Sequence, residues 1–99
     1  MRNLELPGRS PVRATGAMAA TSHPLATSAA IDVLRKNGNA MDAAIAACAV
    51  QCVVEPQSTG IGGDCFVLFS QNGSDKIIGY NGSGRAPAKA TLDWFDEQG

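Results

Sequence analysis

Asn39-Ala40-Met41-Asp42-Ala43-Ala44-Ile45-Ala46-Ala47-Cys48-Ala49-Val50-Gln51-Cys52-Val53-Val54-Glu55-Pro56 is the stretch on which the fold turns. From Ala40 to Val54 it is almost wholly apolar, broken by Asp42 and Gln51. Asn39 can accept the first free amides of a helix, and Asp42 suits the positive end of that helix. Glu55 precedes a proline, which pushes it out of helical torsions. The pattern predicts a helix over 40–54. A helix apolar on every side is expected to be buried, and its many alanines let neighbouring backbones approach. Such a helix needs layers on both sides, and the rest of the chain hardly supplies them.

Upstream, Ser22-His23-Pro24 reads as a helix start, with Ser22 or His23 as cap and Pro24 in the first turn. Leu25, Ala29, Val33 and Ala26, Ala30, Leu34 recur at helical spacing. Arg35 and Lys36 suit the last turn, and Asn37-Gly38 ends the helix with the glycine as the left-handed residue. Ala17 to Ala20 is read as a short buried strand, and residues 1–13 as an irregular, mildly basic arm. Downstream, Gln57 to Asp64 is a glycine-rich turn, followed by a strand over 65–69. Asn72-Gly73 signals a turn, and 76–80 returns as the second strand of a hairpin. After the loop 81–84 and an extended stretch 85–90, Thr91 caps a last helix carrying Leu92, Trp94 and Phe95. The order of strand, two helices, hairpin and helix is α+β with an antiparallel component.

Composition bounds the function. The 99 residues carry 8 Lys+Arg against 9 Asp+Glu, a net charge of -1, with 17% charged and 44% hydrophobic residues. That is too apolar for intrinsic disorder and lacks the basic excess of a phosphate-neutralising nucleic-acid binder. The 11 glycines and 5 prolines follow no period, which excludes collagen-like and solenoid repeats. The first residues show no apolar signal region, and the longest apolar run, Ala43 to Val50, falls far short of the roughly 20 residues of a bilayer span. Cys48, Cys52 and Cys65 are odd in number without framework spacing, so a reducing, cytoplasmic setting is expected. With aromatics at 5%, so short a chain has little with which to build an independent core, and a piece of a larger domain is the better reading.

Few residues stand out chemically. His23 is read as a cap or packed ring, since no nearby cysteine or acid completes a dyad. Cys48 and Cys52 share a helix face, yet a metal would need further ligands, so they are read as small buried apolar residues. Gly60-Ile61-Gly62-Gly63-Asp64 lacks the Lys-Ser/Thr and following helix of a phosphate loop, so a tight turn or a close approach to the backbone is expected. Neither metal nor cofactor is expected. Arg85 is open between a bidentate grip on a carboxylate, a solvated arginine and a structural ion pair.

Four segments, taken together, resemble the gamma-glutamyltranspeptidase family of N-terminal nucleophile hydrolases. They are Ser22-His23-Pro24-Leu25-Ala26, Gly38-Asn39-Ala40-Met41-Asp42-Ala43-Ala44, Val54-Glu55-Pro56-Gln57-Ser58-Thr59-Gly60-Ile61-Gly62-Gly63 and Arg85-Ala86-Pro87-Ala88-Lys89-Ala90-Thr91. The resemblance implies an αββα-layered fold, of which residues 14–99 form an incomplete N-terminal part. It implies a precursor that cleaves itself, exposing a threonine whose hydroxyl attacks an amide with its own amino group as base. That threonine lies far downstream in the family, so no catalytic residue is expected in this chain. The implied partners are a small amide substrate, the remainder of the large subunit and the small subunit, with no nucleic acid and no membrane.

In gamma-glutamyl enzymes an Arg-Glu-x-Ala-Pro stretch supplies an arginine for the substrate α-carboxylate. Aligned on Ala86-Pro87, that arginine falls at Ser83 and the glutamate at Gly84, with Arg85 two positions later. The resemblance therefore assigns substrate binding to Arg85 and Ser83. The run Tyr80 to Pro87, with Arg9-Ser10-Pro11-Val12 upstream, looks more like the oxamate amidohydrolase-like branch. The expected function is cleavage of gamma-glutamyl or small amide bonds in the complete protein, with the fragment alone inactive. A free-standing small α/β binding module, using the loops at 60–64 and 83–85, is the alternative from another class.

Overall fold

A computed structural model describes residues 11–99, so most of the expected N-terminal arm, residues 1–10, lies outside the described residues. The described chain is a small α+β arrangement of three α-helices and a two-stranded antiparallel sheet. The order is α1 (Pro24–Arg35), α2 (Ala40–Val54), β1 (Cys65–Ser70), a short 3-10 turn (Gln71–Gly73), β2 (Ile77–Gly82) and α3 (Leu92–Gln98). Its contacts gather into two units, one through Gly60 and one of Ile61–Gly99.

The first unit is a helical hairpin whose ends are built by side chains. His23 is the cap of α1, its Nδ1 accepting the Leu25 N–H at 3.2 Å, and Pro24 fills the first turn, where no amide donor is needed. At the other end the Gly38 N–H donates to the Val33 carbonyl at 3.0 Å and the Asn37 N–H to that of Leu34 at 3.1 Å. These bonds form a Schellman motif with Lys36 as C-cap. The left-handed residue is Asn37, with φ 64, and not Gly38 as the sequence suggests. Gly38 is needed for a different reason: a Cβ there would lie 2.4 Å from Val33 Cγ1 and 3.0 Å from the Val33 carbonyl oxygen.

A reciprocal capping box opens α2. Asn39 Oδ1 accepts the Met41 and Asp42 N–H groups at 2.8 and 3.0 Å, and Asp42 Oδ2 accepts the Asn39 N–H at 3.0 Å. A polar knot ties the end of α2 to the start of α1. Ser22 Oγ donates to Glu55 Oε2, while Gln51 Nε2 donates to Ser22 Oγ at 2.9 Å and to Glu55 Oε2 at 3.2 Å.

Between the helices runs a seam of alanine. Ala26, Ala30, Ala43 and Ala47 are the buried residues of the described chain, flanked by half-buried Ala19, Val33, Leu34 and Val50. A buried methyl contributes on the order of 0.8 kcal/mol, so the seam sets the helix spacing more than it stabilises the pair.

Two expectations are corrected here. The helix over 40–54 is not buried all round: Ile45 is 63% and Val53 78% exposed, because α1 covers a single stripe of it and leaves these side chains outside the contact. Ala17 to Ala20 is not a strand, having no partner to ladder with among the described residues; it lies as irregular backbone along both helices, lining a groove with Ala30, Leu34, Ala44 and Cys48.

In the second unit β1 and β2 pair antiparallel from Cys65↔Gly82 to Ser70↔Ile77. Each strand runs slightly past the predicted limits at its C-terminal end, and the connection is the 3-10 turn with Gly73 at φ 68 rather than a two-residue hairpin turn. The alternation of side chains puts Val67, Phe69, Ile78 and Tyr80 on one face and Phe66, Leu68 and Ile77 on the other, so both faces are apolar. Thr91 caps α3 as predicted, its Oγ1 accepting the Trp94 N–H at 3.2 Å.

Candidate functional site

The candidate residues Ser83 and Arg85 lie in the loop that leaves β2, and both are exposed. Because Cys65 pairs with Gly82, the turn entering β1 and the loop leaving β2 emerge at the same end of the hairpin. Gly82 lets them emerge close together: a Cβ there would lie 2.8 Å from the Cys65 carbonyl oxygen and 2.8 Å from the Tyr80 ring.

Two side-chain oxygens then fix the course of the loop. Asn81 Oδ1 accepts the Ser83 N–H at 3.0 Å, and Asp64 Oδ1 accepts the Gly84 N–H at 2.6 Å. With these successive amides occupied, the side-chain donors that the loop offers an incoming anion are the Ser83 hydroxyl and the Arg85 guanidinium. Among the described residues the single salt bridge is Arg35 with Asp32, on the surface of α1, so Arg85 pairs with no described carboxylate. A guanidinium and a hydroxyl two residues apart on a tethered loop suit a small carboxylate.

The other sequence candidates fall elsewhere. His23 is a cap, as read. Cys48 and Cys52 lie in α2 but not in its seam: Cys48 is exposed and Cys52 half-buried, which corrects their reading as buried residues, since Ala43 and Ala47 take the face turned to α1. No cluster of three or more His, Cys, Asp or Glu that could hold a metal occurs among the described residues. No described helix is long and apolar enough to cross a membrane. Asp64, the last residue of the loop 60–64 that the sequence offers beside 83–85 as a binding site, and Asn81 had no role of their own assigned from sequence. An acid directly before a strand carries a weak signal, and its partner lies 20 residues away, visible only once the register is known.

A family model described as gamma-glutamyltranspeptidase matches residues 26–99. The chain is 43% identical over 91 residues to the glutathione hydrolase proenzyme of Escherichia coli (strain K12), covering 90% of this chain and 15% of that protein. It is 45% identical over 83 residues to the glutathione hydrolase proenzyme of Bacillus subtilis (strain 168), covering 83% and 14%. To the oxamate amidohydrolase proenzyme of Klebsiella pneumoniae it is 39% identical over 84 residues, covering 85% and 16%. The chain thus spans 14 to 16% of the length of these curated relatives.

Proposed function

This chain belongs to the gamma-glutamyltranspeptidase family, and from that premise we propose that it is part of the large subunit of a self-processing amidohydrolase acting on a small, carboxylate-bearing amide. A downstream threonine, freed by cleavage of the precursor, attacks the amide carbon; its hydroxyl proton passes to its own amino group, and the amine leaves as the acyl-enzyme forms. Water or an amine then takes the acyl group. This chain's own share is recognition: Arg85 and Ser83 hold the substrate carboxylate, and residues 1–99 alone hydrolyse nothing. The relatives above are proenzymes by name, which agrees with a precursor cut into subunits.

The complete domain is an αββα sandwich in this proposal. Support comes from a hairpin apolar on both faces, with Leu68 80% and Phe66 65% exposed, and from the open flank of α2. A sheet of that kind suits a middle layer covered on both sides.

The observation that carries the proposal is the Arg85 guanidinium, which pairs with no described carboxylate, on a loop held by Asp64 and Asn81. In the complete processed enzyme, Arg85→Ala raises KM at least about tenfold for a gamma-glutamyl anilide, as loss of a charged bidentate contact requires. The same anilide lacking the α-carboxylate is unaffected. An unchanged KM removes Arg85 from the site, and threonine-dependent hydrolysis by residues 1–99 overturns the division of labour. A second reading, oxamate-type hydrolysis, is favoured by Ser83 standing where gamma-glutamyl enzymes have their arginine. Turnover of oxamate in preference to the anilide decides for it.

A further inference from the structure

We infer that Asp64 is a positioning residue, whose carboxylate holds the 83–85 loop in the shape that presents Ser83 and Arg85 together; the inference rests on the substrate-binding role proposed for that loop. The ladder ends at Cys65↔Gly82, so the Gly84 N–H lies beyond it and has no strand carbonyl to meet. Asp64, the residue just before β1, supplies the missing acceptor at 2.6 Å. A carboxylate oxygen is the stronger kind of acceptor for a backbone amide, and it closes the strand pair one step past its last rung.

The fit is close on the other side as well. A Cβ at Gly84 would lie 3.0 Å from the same Asp64 oxygen, tighter than ordinary contact. The carboxylate therefore rests against the backbone of Gly84, and the glycine there is what permits the approach. Asn81 holds Ser83 from within β2, whereas Asp64 is the one described side chain that ties the loop to the other strand. Remove it, and the backbone from Gly84 onward loses its anchor just ahead of Arg85. Binding a substrate carboxylate must then order that backbone, and the cost falls on affinity. The chemical step, carried by a residue outside this chain, is untouched.

A role as hydrogen-bond acceptor differs from a role as charge. The Asp64 anion repels a bound carboxylate, so removing its charge while keeping its oxygen does no harm to affinity. In the complete processed enzyme, Asp64→Ala raises KM for a gamma-glutamyl anilide about tenfold, the equivalent of ordering about one residue of backbone, with kcat within about twofold. Asp64→Asn keeps KM at or below the wild-type value, and the anilide without its α-carboxylate responds to neither change. If Asp64→Ala impairs processing, Asp64→Ser serves instead, since its hydroxyl stops one bond short of the Gly84 amide. Amide exchange at Gly84, which needs no turnover, speeds up in the Ala or Ser variant and stays protected in Asn.

Arg85→Ala, measured alongside, separates the failures. If Arg85→Ala raises KM and Asp64→Ala does not, the positioning role is overturned and the substrate-binding loop stands. If both leave KM unchanged, the loop is not the substrate site, and the inference falls with it. Equal rises in the Ala and Asn variants would make the charge, and not the acceptor, what matters, which also overturns it.

Discussion

Gly38→Ala tests the structure where it departs most clearly from the usual reading of a helix end. Gly38 follows the left-handed Asn37, so its own torsions admit an alanine, and the obstacle is purely steric. The added Cβ falls 2.4 Å from Val33 Cγ1, about 1 Å inside the 3.4–4 Å of ordinary contact. Valine within a helix has one strongly preferred rotamer, so turning the methyl aside is itself costly. Even then the Val33 carbonyl oxygen remains at 3.0 Å, and that oxygen accepts the Gly38 N–H. Overpacking of this kind costs about 1–3 kcal/mol, or roughly a 5- to 150-fold rise in local opening. Hydrogen exchange on the complete protein reads it directly, at the amides of Asn37 and Gly38. Three comparisons sharpen the result. Asn37→Gly should be close to neutral, since it relieves the left-handed torsion. Gly60→Ala should be silent, because nothing lies within 4 Å of the added carbon. In a Val33→Ala background the penalty at Gly38 should shrink without vanishing. Unchanged protection in Gly38→Ala, or a larger loss in Asn37→Gly, would refute the assignment of the two positions.

Two other perturbations probe the helix hairpin. Asn39→Ala should cost about 1 kcal/mol and speed exchange at Met41 and Asp42 about fivefold, while Asn39→Asp keeps the cap; equal protection in Asn39→Ala would disprove the capping box. Ser22→Ala and Glu55→Ala should be non-additive by about 1 kcal/mol, read from exchange in the last turn of α2, because they share one knot with Gln51. Strict additivity would mean that the knot contributes nothing.

Local signals in the sequence located the regular elements well. His23-Pro24, Asn39 with Asp42, Glu55-Pro56 and Thr91 each mark a boundary that the structure keeps, because a cap acts within a few residues of itself. The apolar runs on either side of Asn72-Gly73 likewise become the paired strands. What escaped was set by neighbours. Ala17 to Ala20 has the apolar look of a strand but no partner among the described residues, and a strand exists only through its ladder. The faces of α2 all look alike in sequence, and the position of α1 alone decides that Ala43 and Ala47 are buried while Cys48 is not. Ser83 and Arg85 were picked out by motif, whereas Asp64, which ties down their loop, joins it through a bond between distant residues.

The alanine seam has a consequence for how this segment drifts over generations. Ala26, Ala30, Ala43 and Ala47 form the centre of the seam, and the longer side chains of Val33, Leu34 and Val50 pack only at its rim. A larger residue must pry the helices apart, and glycine lowers helix propensity by about 1 kcal/mol. Leucine-rich interfaces wander through compensating exchanges of volume, one side chain growing as its neighbour shrinks. Among the four alanines there is nothing to shrink, and compensation is left to Val33, Leu34 and Val50 at the rim. Change is therefore channelled to the outer faces of the two helices, and the seam works as a fixed gauge against which the rest of the molecule varies.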